Sequence, residues 1–172
     1  MILNPEYECM NTESLRVLQF ARLKNLLERV YDNVPFYRQK IDEKGITVAD
    51  IRSLQDIAKL PFTTKDDLRQ TYPYGLLAVP QSEIVEIHMS SGTTGIPVVN
   101  AYTKSDMDQW TEGMGRTLAA AGATRNDTIQ NAYGYGLFTG GLGVHYGTQR
   151  VGATVIPVSS GNTEKQLMLM RF

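Results

Sequence analysis

Apolar positions in the first third of the chain recur at helical spacing. Leu15, Leu18, Leu23, Leu26, Leu27 and Val30 follow one another mostly in steps of three, four and five residues, with Arg16, Arg22, Lys24 and Arg29 between them. The pattern predicts one amphipathic helix over about 12–31. Asn11 or Thr12 can cap it, Glu13 suits its first turn, and Pro35 prevents its continuation. A second helix is expected after Thr64, because Thr64-Lys65-Asp66-Asp67 has the spacing of a capping box.

Past Pro80 the period changes. Ile84, Val85, Ile87 and Met89 read as a strand, and Val98, Val99, Ala101 and Tyr102 as another after Pro97. Thr103-Lys104-Ser105-Asp106 then opens a helix with Met107, Trp110, Met114, Leu118 and Ala121 on one face and Gly122 as its stop. Trp110 and the methionines are read as core. A third strand is expected over about 128–133, a glycine-rich helix over about 138–151 and a fourth strand over about 153–158. Thr163-Glu164-Lys165-Gln166 has the spacing to open a last helix, carrying Leu167, Met168, Leu169 and Met170. Strand, helix, strand at these intervals argues for an α/β fold, a helical segment followed by a layered sheet with right-handed crossovers.

Composition divides the chain in the same place. Residues 1–72 hold 11 of the 17 basic and 11 of the 18 acidic side chains but one of the 15 glycines, Gly45. The expected organisation is a charged, mainly helical segment over 1–75 and a glycine-rich α/β portion over 76–172. A helix opening at Thr163 leaves no room in 172 residues for a return strand. The second portion is therefore expected to be incomplete at its C-terminus, the front part of a larger molecule.

The remaining composition excludes whole classes. A net charge of -1 supplies no electrostatic case for nucleic acid or an anionic membrane. No apolar run approaches the roughly 20 residues of a membrane helix, and Asn4, Glu6 and Glu8 interrupt any signal-like pattern near Met1. A cytoplasmic chain is expected. Cys9 is the single cysteine, which rules out an internal disulfide, and no metal site is expected.

Two stretches carry candidate chemistry. Ser90-Ser91-Gly92-Thr93-Thr94-Gly95 is a run of six small residues with four hydroxyls and two glycines. Such a run can wrap a phosphate, since glycine admits the left-handed backbone that lets amide N–H groups converge. It also suits an ordinary hairpin loop. It is not the loop of the P-loop NTPases, because no Gly-Lys-[Ser/Thr] follows. The second stretch runs from Asn131 to Gly143, where Tyr133, Tyr135 and Phe138 alternate with Gly134, Gly136, Gly140 and Gly141 beyond a strand end. Open α/β sheets place ligand crevices there, and rings beside bare glycines make a slot for a planar apolar ligand. Close approach of strand and helix backbones is the other use of the same glycines. Of the two histidines, His88 is read as a packed strand residue and His145 as having the better surroundings for a site role.

Taken together these motifs resemble the adenylate-forming enzymes. The hexapeptide with Pro97 is similar to the first nucleotide motif of that superfamily. Val34-Pro35-Phe36-Tyr37-Arg38, Leu60 through Leu68, and Asn131 through Gly143 resemble the corresponding blocks of phenylacetate-CoA ligases, in the same order. The resemblance runs from about residue 6 to residue 171. It implies the truncated N-terminal part of an adenylate-forming fold and a reaction in two halves. ATP and an aryl acid give an acyl-adenylate and pyrophosphate with Mg2+, and coenzyme A then displaces AMP. It further implies that Ser90, Ser91, Gly92, Thr93, Thr94 and Gly95 hold the ATP phosphates. The aryl pocket would be lined by Tyr133, Gly134, Tyr135, Gly136, Phe138, Gly140 and Gly141. Ile96 stands where the family usually has lysine. The family's catalytic residues lie downstream, so none is assigned here, and the chain alone is expected to be inactive. Two alternatives remain beside phenylacetate activation: a ligase for another aryl or acyl acid, and a non-catalytic binding or assembly module. The expected partners are a small aryl acid and either the missing C-terminal portion or a second copy.

Overall fold

The computed structural model describes residues 1–92 and 95–171. In chain order its elements are α1 (Pro5–Glu8), α2 (Thr12–Asn33), α3 (Pro35–Glu43), α4 (Lys65–Gln70), β1 (Ile84–Met89), β2 (Val99–Thr103), α5 (Lys104–Ala120), β3 (Thr128–Gln130), α6 (Thr139–Val151), β4 (Thr154–Ile156) and α7 (Thr163–Leu169). Three short 3-10 turns, Val48–Asp50, Leu54–Lys59 and Gln81–Glu83, join them. The described chain divides into two compact units. One comprises Met1–Cys9, Val85–Ser91 and the chain from Asn100 onward; the other comprises Met10–Ile84 and Gly92–Val99.

In the second of these units α2 starts where the Asn11 side chain accepts from the Ser14 amide. Pro35 ends α2 as expected, and it also begins α3. Proline is tolerated in a first helical turn, where its missing N–H would have had no partner. The apolar pattern gave no sign of α3, a nine-residue helix that buries Ile41 alone. Leu27, Val34, Ile41 and Ile51 form the buried set. Leu18, Leu23 and Val30 are half-buried, whereas Leu15 and Leu26 of the expected apolar face remain 39% and 55% exposed. Thr64 caps α4 with a reciprocal box to Asp67, as the spacing predicts. The Asp67 carboxylate also meets Lys40 Nζ at 2.6 Å, tying α3 to α4.

The other unit is α/β. Thr103 caps α5 through the expected box with Asp106. Within the predicted apolar face Met107 is buried, but Ala121 is exposed and Ala119 takes the inner position. Ala119, Val151 and Ala153 form the core with Leu3, Leu118 and Ile129 around them. Two glycines permit the close crossing of α5 and α6. A Cβ on Gly143 would stand 2.8 Å from the Trp110 ring, and one on Gly147 would stand 2.7 Å from Met114 Cβ.

β3 and β4 pair in parallel across α6, with Thr128 opposite Thr154 and Gln130 opposite Ile156. That is the predicted strand–helix–strand unit, and β1 pairs with β2 in a second two-stranded sheet. Both β3 and β4 are shorter than the expected 128–133 and 153–158. The Asn131 amide adds one more bond, to Ile156 O at 2.9 Å, before its side chain turns the backbone away. On β4, Pro157 has no N–H to give, and the Val158 amide folds back onto Ile156 O. The last helix is capped by Asn162 instead of Thr163. Asn162 holds a left-handed backbone, φ 49°, and its side chain accepts from the Lys165 amide.

Candidate functional site

The carboxyl end of β3 opens into a cleft of about 540 Å³, all within the α/β unit. Tyr133, Gly134, Tyr135, Gly136 and Phe138 line it, together with Ser90 and Ser91 from the end of β1. Seven of the residues singled out from the sequence are thus gathered in one recess. Both aromatic stretch and serine pair reach it because the Met89 amide donates to Leu137 O at 2.8 Å, locking the end of β1 to the aromatic loop. Tyr133 and Phe138 are each 55% exposed, so their rings present apolar surface to anything entering.

Gly140 and Gly141 lie elsewhere. They form the first turn of α6 and support the wall from behind. A Cβ on Gly140 would come 2.4 Å from the Tyr133 ring, and one on Gly141 would come 2.5 Å from Gly134 O. These two glycines serve close approach of loop and helix. Gly92 and Gly95 belong to the other unit, where Gly92 O accepts from the Gly95 amide at 2.9 Å. Both have positive φ, 63° and 124°, a backbone that side-chain-bearing residues rarely adopt. Thr93 and Thr94, also expected in the phosphate loop, lie outside the described residues. Ile96 is 54% exposed.

The cleft wall is organised by a residue that hydrophobic patterning does not single out. Asn131 is 3% exposed, and its Nδ2 donates to both Gly141 O and Tyr135 Oη at 2.7 Å. Its Oδ1 accepts from the Tyr133 amide at 3.3 Å. One buried amide therefore holds Tyr133, Tyr135 and the start of α6 in register. Ser159, also on the cleft, has positive φ (64°), and its Oγ accepts from the Tyr135 amide at 3.4 Å. Met89, Leu137 and Ser160 complete the lining. A polar residue directly after a strand and a Ser-Ser-Gly after the paired strand were the signals available for Asn131 and Ser159.

Beneath the cleft an aromatic and polar cluster joins α6 to β1. His88 is buried, as expected of a packed strand residue, with Nε2 2.6 Å from Glu86 Oε1. Its ring stands edge-on to Tyr102 and Trp110. Tyr146 Oη donates to Glu86 Oε2 at 3.0 Å. Burial, then the bond to the Glu86 carboxylate, pushes the Tyr146 phenol above its ordinary value. Burial raises Tyr102 likewise, with Asp106 and Glu86 adding to it. Among the described residues no group of three or more His, Cys, Asp or Glu side chains could hold a metal ion. No helix of the described residues is long and apolar enough to cross a membrane.

This fold is that of adenylate-forming acyl-CoA ligases. It superposes on 2-hydroxyisobutyryl-CoA ligase in complex with 2-HIB-AMP and CoA with a TM-score of 0.86, at 28% identity over 97% of this chain and 36% of that one. An open conformation of the same ligase gives 0.85, at 26% identity and 40% of its length. In sequence the chain is similar to phenylacetate-coenzyme A ligases, over a portion that fits the N-terminal part of those enzymes. It is 52% identical to that of Thermus thermophilus across 99% of its own length and 38% of the relative's. The ligase of Escherichia coli K12 is 52% identical with 40% covered, and that of Pseudomonas putida 51% with 38%. The chain thus spans about two fifths of the curated relatives it matches. No family model matches it.

Proposed function

We propose that the chain is the aryl-acid- and phosphate-binding portion of a cytoplasmic, AMP-forming aryl-CoA ligase acting on phenylacetate. A carboxylate oxygen of the acid attacks the α-phosphorus of ATP and the bond to pyrophosphate breaks. The coenzyme A sulfur then attacks the acyl carbon, its proton departs, and the bond to AMP breaks. In this reading Tyr133, Tyr135 and Phe138 are the walls that take the aryl ring, and Gly134 and Gly136 keep the slot flat. Ser90 and Ser91 give hydroxyl donors, and Gly92 and Gly95 the left-handed backbone that aims amides at phosphate; Thr93 and Thr94 complete the six. Mg2+ accompanies the nucleotide and supplies charge neutralisation. The further partner is the remaining portion of such a ligase, or a second copy of this chain.

What supports this reading most is the cleft itself, in which the serine pair and the aromatic stretch, 42 residues apart from Ser91 to Tyr133, share one recess. Titration of the isotope-labelled chain with phenylacetate tests it. Amide resonances of Gly134, Gly136, Phe138 and Ser159 are expected to shift, more with phenylacetate than with butyrate at equal concentration. ATP is expected to shift Ser90 through Gly95. Larger shifts with butyrate would favour the second reading, a ligase for a non-aromatic acid, to which the likeness to a 2-hydroxyisobutyryl-CoA ligase lends support. A folded chain whose cleft resonances respond to no acid would sink both and leave a binding or assembly module, the reading that Ile96 favours.

A further inference from the structure

The hydrogen bonds around Asn131 determine their own direction. Gly141 O can only accept, and the Tyr133 amide can only donate, so the Asn131 side chain has a single possible orientation: Nδ2 toward Gly141 and Oδ1 toward Tyr133. The second Nδ2 hydrogen then goes to Tyr135 Oη at 2.7 Å. With an oxygen lone pair taken in this way, the Tyr135 hydroxyl proton is free to donate, and His145 Nδ1 stands 3.2 Å away. To accept it, Nδ1 must be the bare nitrogen, which places the ring proton of His145 on Nε2. His145 lies on α6 and meets the Tyr135 ring edge-on, 5.8 Å between centroids at 86°. On its other side it packs edge-on against Tyr146, which is itself held by Glu86.

We infer that His145 is a positioning residue for the aryl cleft: by accepting the Tyr135 hydroxyl proton it completes, with Asn131, a two-sided clamp that fixes the Tyr135 ring as a rigid wall. The inference builds on the aryl-acid reading of the cleft. Its chemical consequence is specific. The hydroxyl proton of Tyr135 is committed inward, so the residue offers the ligand a ring face and no hydrogen-bond donor. An acid with a bare phenyl ring loses nothing against such a wall. The clamp also removes rotamer freedom before the ligand arrives, which lowers the entropic cost of binding.

Histidine variants separate clamping from bulk packing. Asparagine places an amide atom near the position of Nδ1, and glutamine near that of Nε2. His145→Asn is therefore expected to keep the clamp and His145→Gln to break it. In the 172-residue chain at pH 8, nitrogen NMR should show His145 as the Nε2–H tautomer. The Tyr135 ring should populate a single χ1 rotamer in wild type and His145→Asn, and several in His145→Gln. Tyr135→Phe, which keeps the ring and removes the hydroxyl, should release the ring as His145→Gln does. The phenylacetate Kd should rise about five- to tenfold in His145→Gln and Tyr135→Phe, with no further rise in the double variant and with recovery in His145→Asn. An Nδ1–H tautomer, or a Tyr135 ring equally ordered in His145→Gln, would overturn the inference whatever the ligand data show. A clamp intact by these signatures in a chain that ignores phenylacetate would instead count against the aryl-acid reading.

Discussion

At the scale of single residues, adjacent glycines of α6 face different obstacles, and replacing each tests a different thing. The Cβ of Gly141→Ala would run into the Gly134 backbone, which can yield only by moving the loop. Overpacking of this kind costs about 1–3 kcal/mol, read as a lower urea midpoint with an unchanged m-value. In Gly140→Ala the obstacle is the Tyr133 ring, which is half exposed and can swing aside. A loss under about 1 kcal/mol is expected, together with displaced Tyr133 resonances; equal losses from the two variants would contradict this division. At Ile96 the expected change is a gain. A lysine there could reach a phosphate, and one charge-assisted hydrogen bond contributes about 1.5–3 kcal/mol. Ile96→Lys should therefore tighten ATP binding at least tenfold by calorimetry, and an unchanged Kd would show that this position does not face the nucleotide.

At the scale of elements, local chemistry sets where helices begin. Thr103 Oγ1 accepts from the Asp106 amide, and the Asp106 carboxylate accepts from the Thr103 amide and hydroxyl. Thr103→Ala should cost about 1 kcal/mol and Thr103→Ser little, measured by urea unfolding. Asp67 completes the same kind of box with Thr64 at the start of α4 and also meets Lys40. The Lys40 ammonium, then the Thr64 amide, lowers its carboxyl to about 2 from an ordinary 3.8. Because the folded value is the depressed one, the stabilisation is present above about pH 4 and is lost as pH falls toward 2. Melting temperatures of wild type and Asp67→Asn should converge across that window; a gap that widens on acidification would refute the assignment.

These caps are also why so many elements were legible in the sequence. Thr64, Thr103 and Gly122 announce themselves through chemistry confined to four or five residues, and β1, α2 and α5 through period. What stayed hidden depends on distant partners. α3 buries Ile41 alone, too little to leave a period. The ends of β3 and β4 are decided by Asn131 and Pro157, a side chain bonding its own loop and a missing N–H. In the cleft, the aromatic–glycine alternation was visible, but Asn131, Ser159 and His145 act through hydrogen bonds to residues up to 24 positions away. Their neighbours mark these positions but do not encode the partners.

At the scale of the molecule, the chain spans 38% of the Thermus thermophilus relative, yet it carries the cleft and the serine–glycine loop. The proposed function would place the binding of acid and nucleotide on this portion. The most direct measurement joins the two: the chain fused to the downstream remainder of the Thermus thermophilus ligase, assayed for products from phenylacetate, ATP and coenzyme A. Phenylacetyl-CoA and AMP are expected in equal amounts, with Phe138→Ala raising the phenylacetate KM about tenfold or more through the lost ring contact and leaving the ATP KM unchanged. A folded fusion that forms no phenylacetyl-CoA, or a Phe138→Ala variant with an unaltered phenylacetate KM, would contradict it.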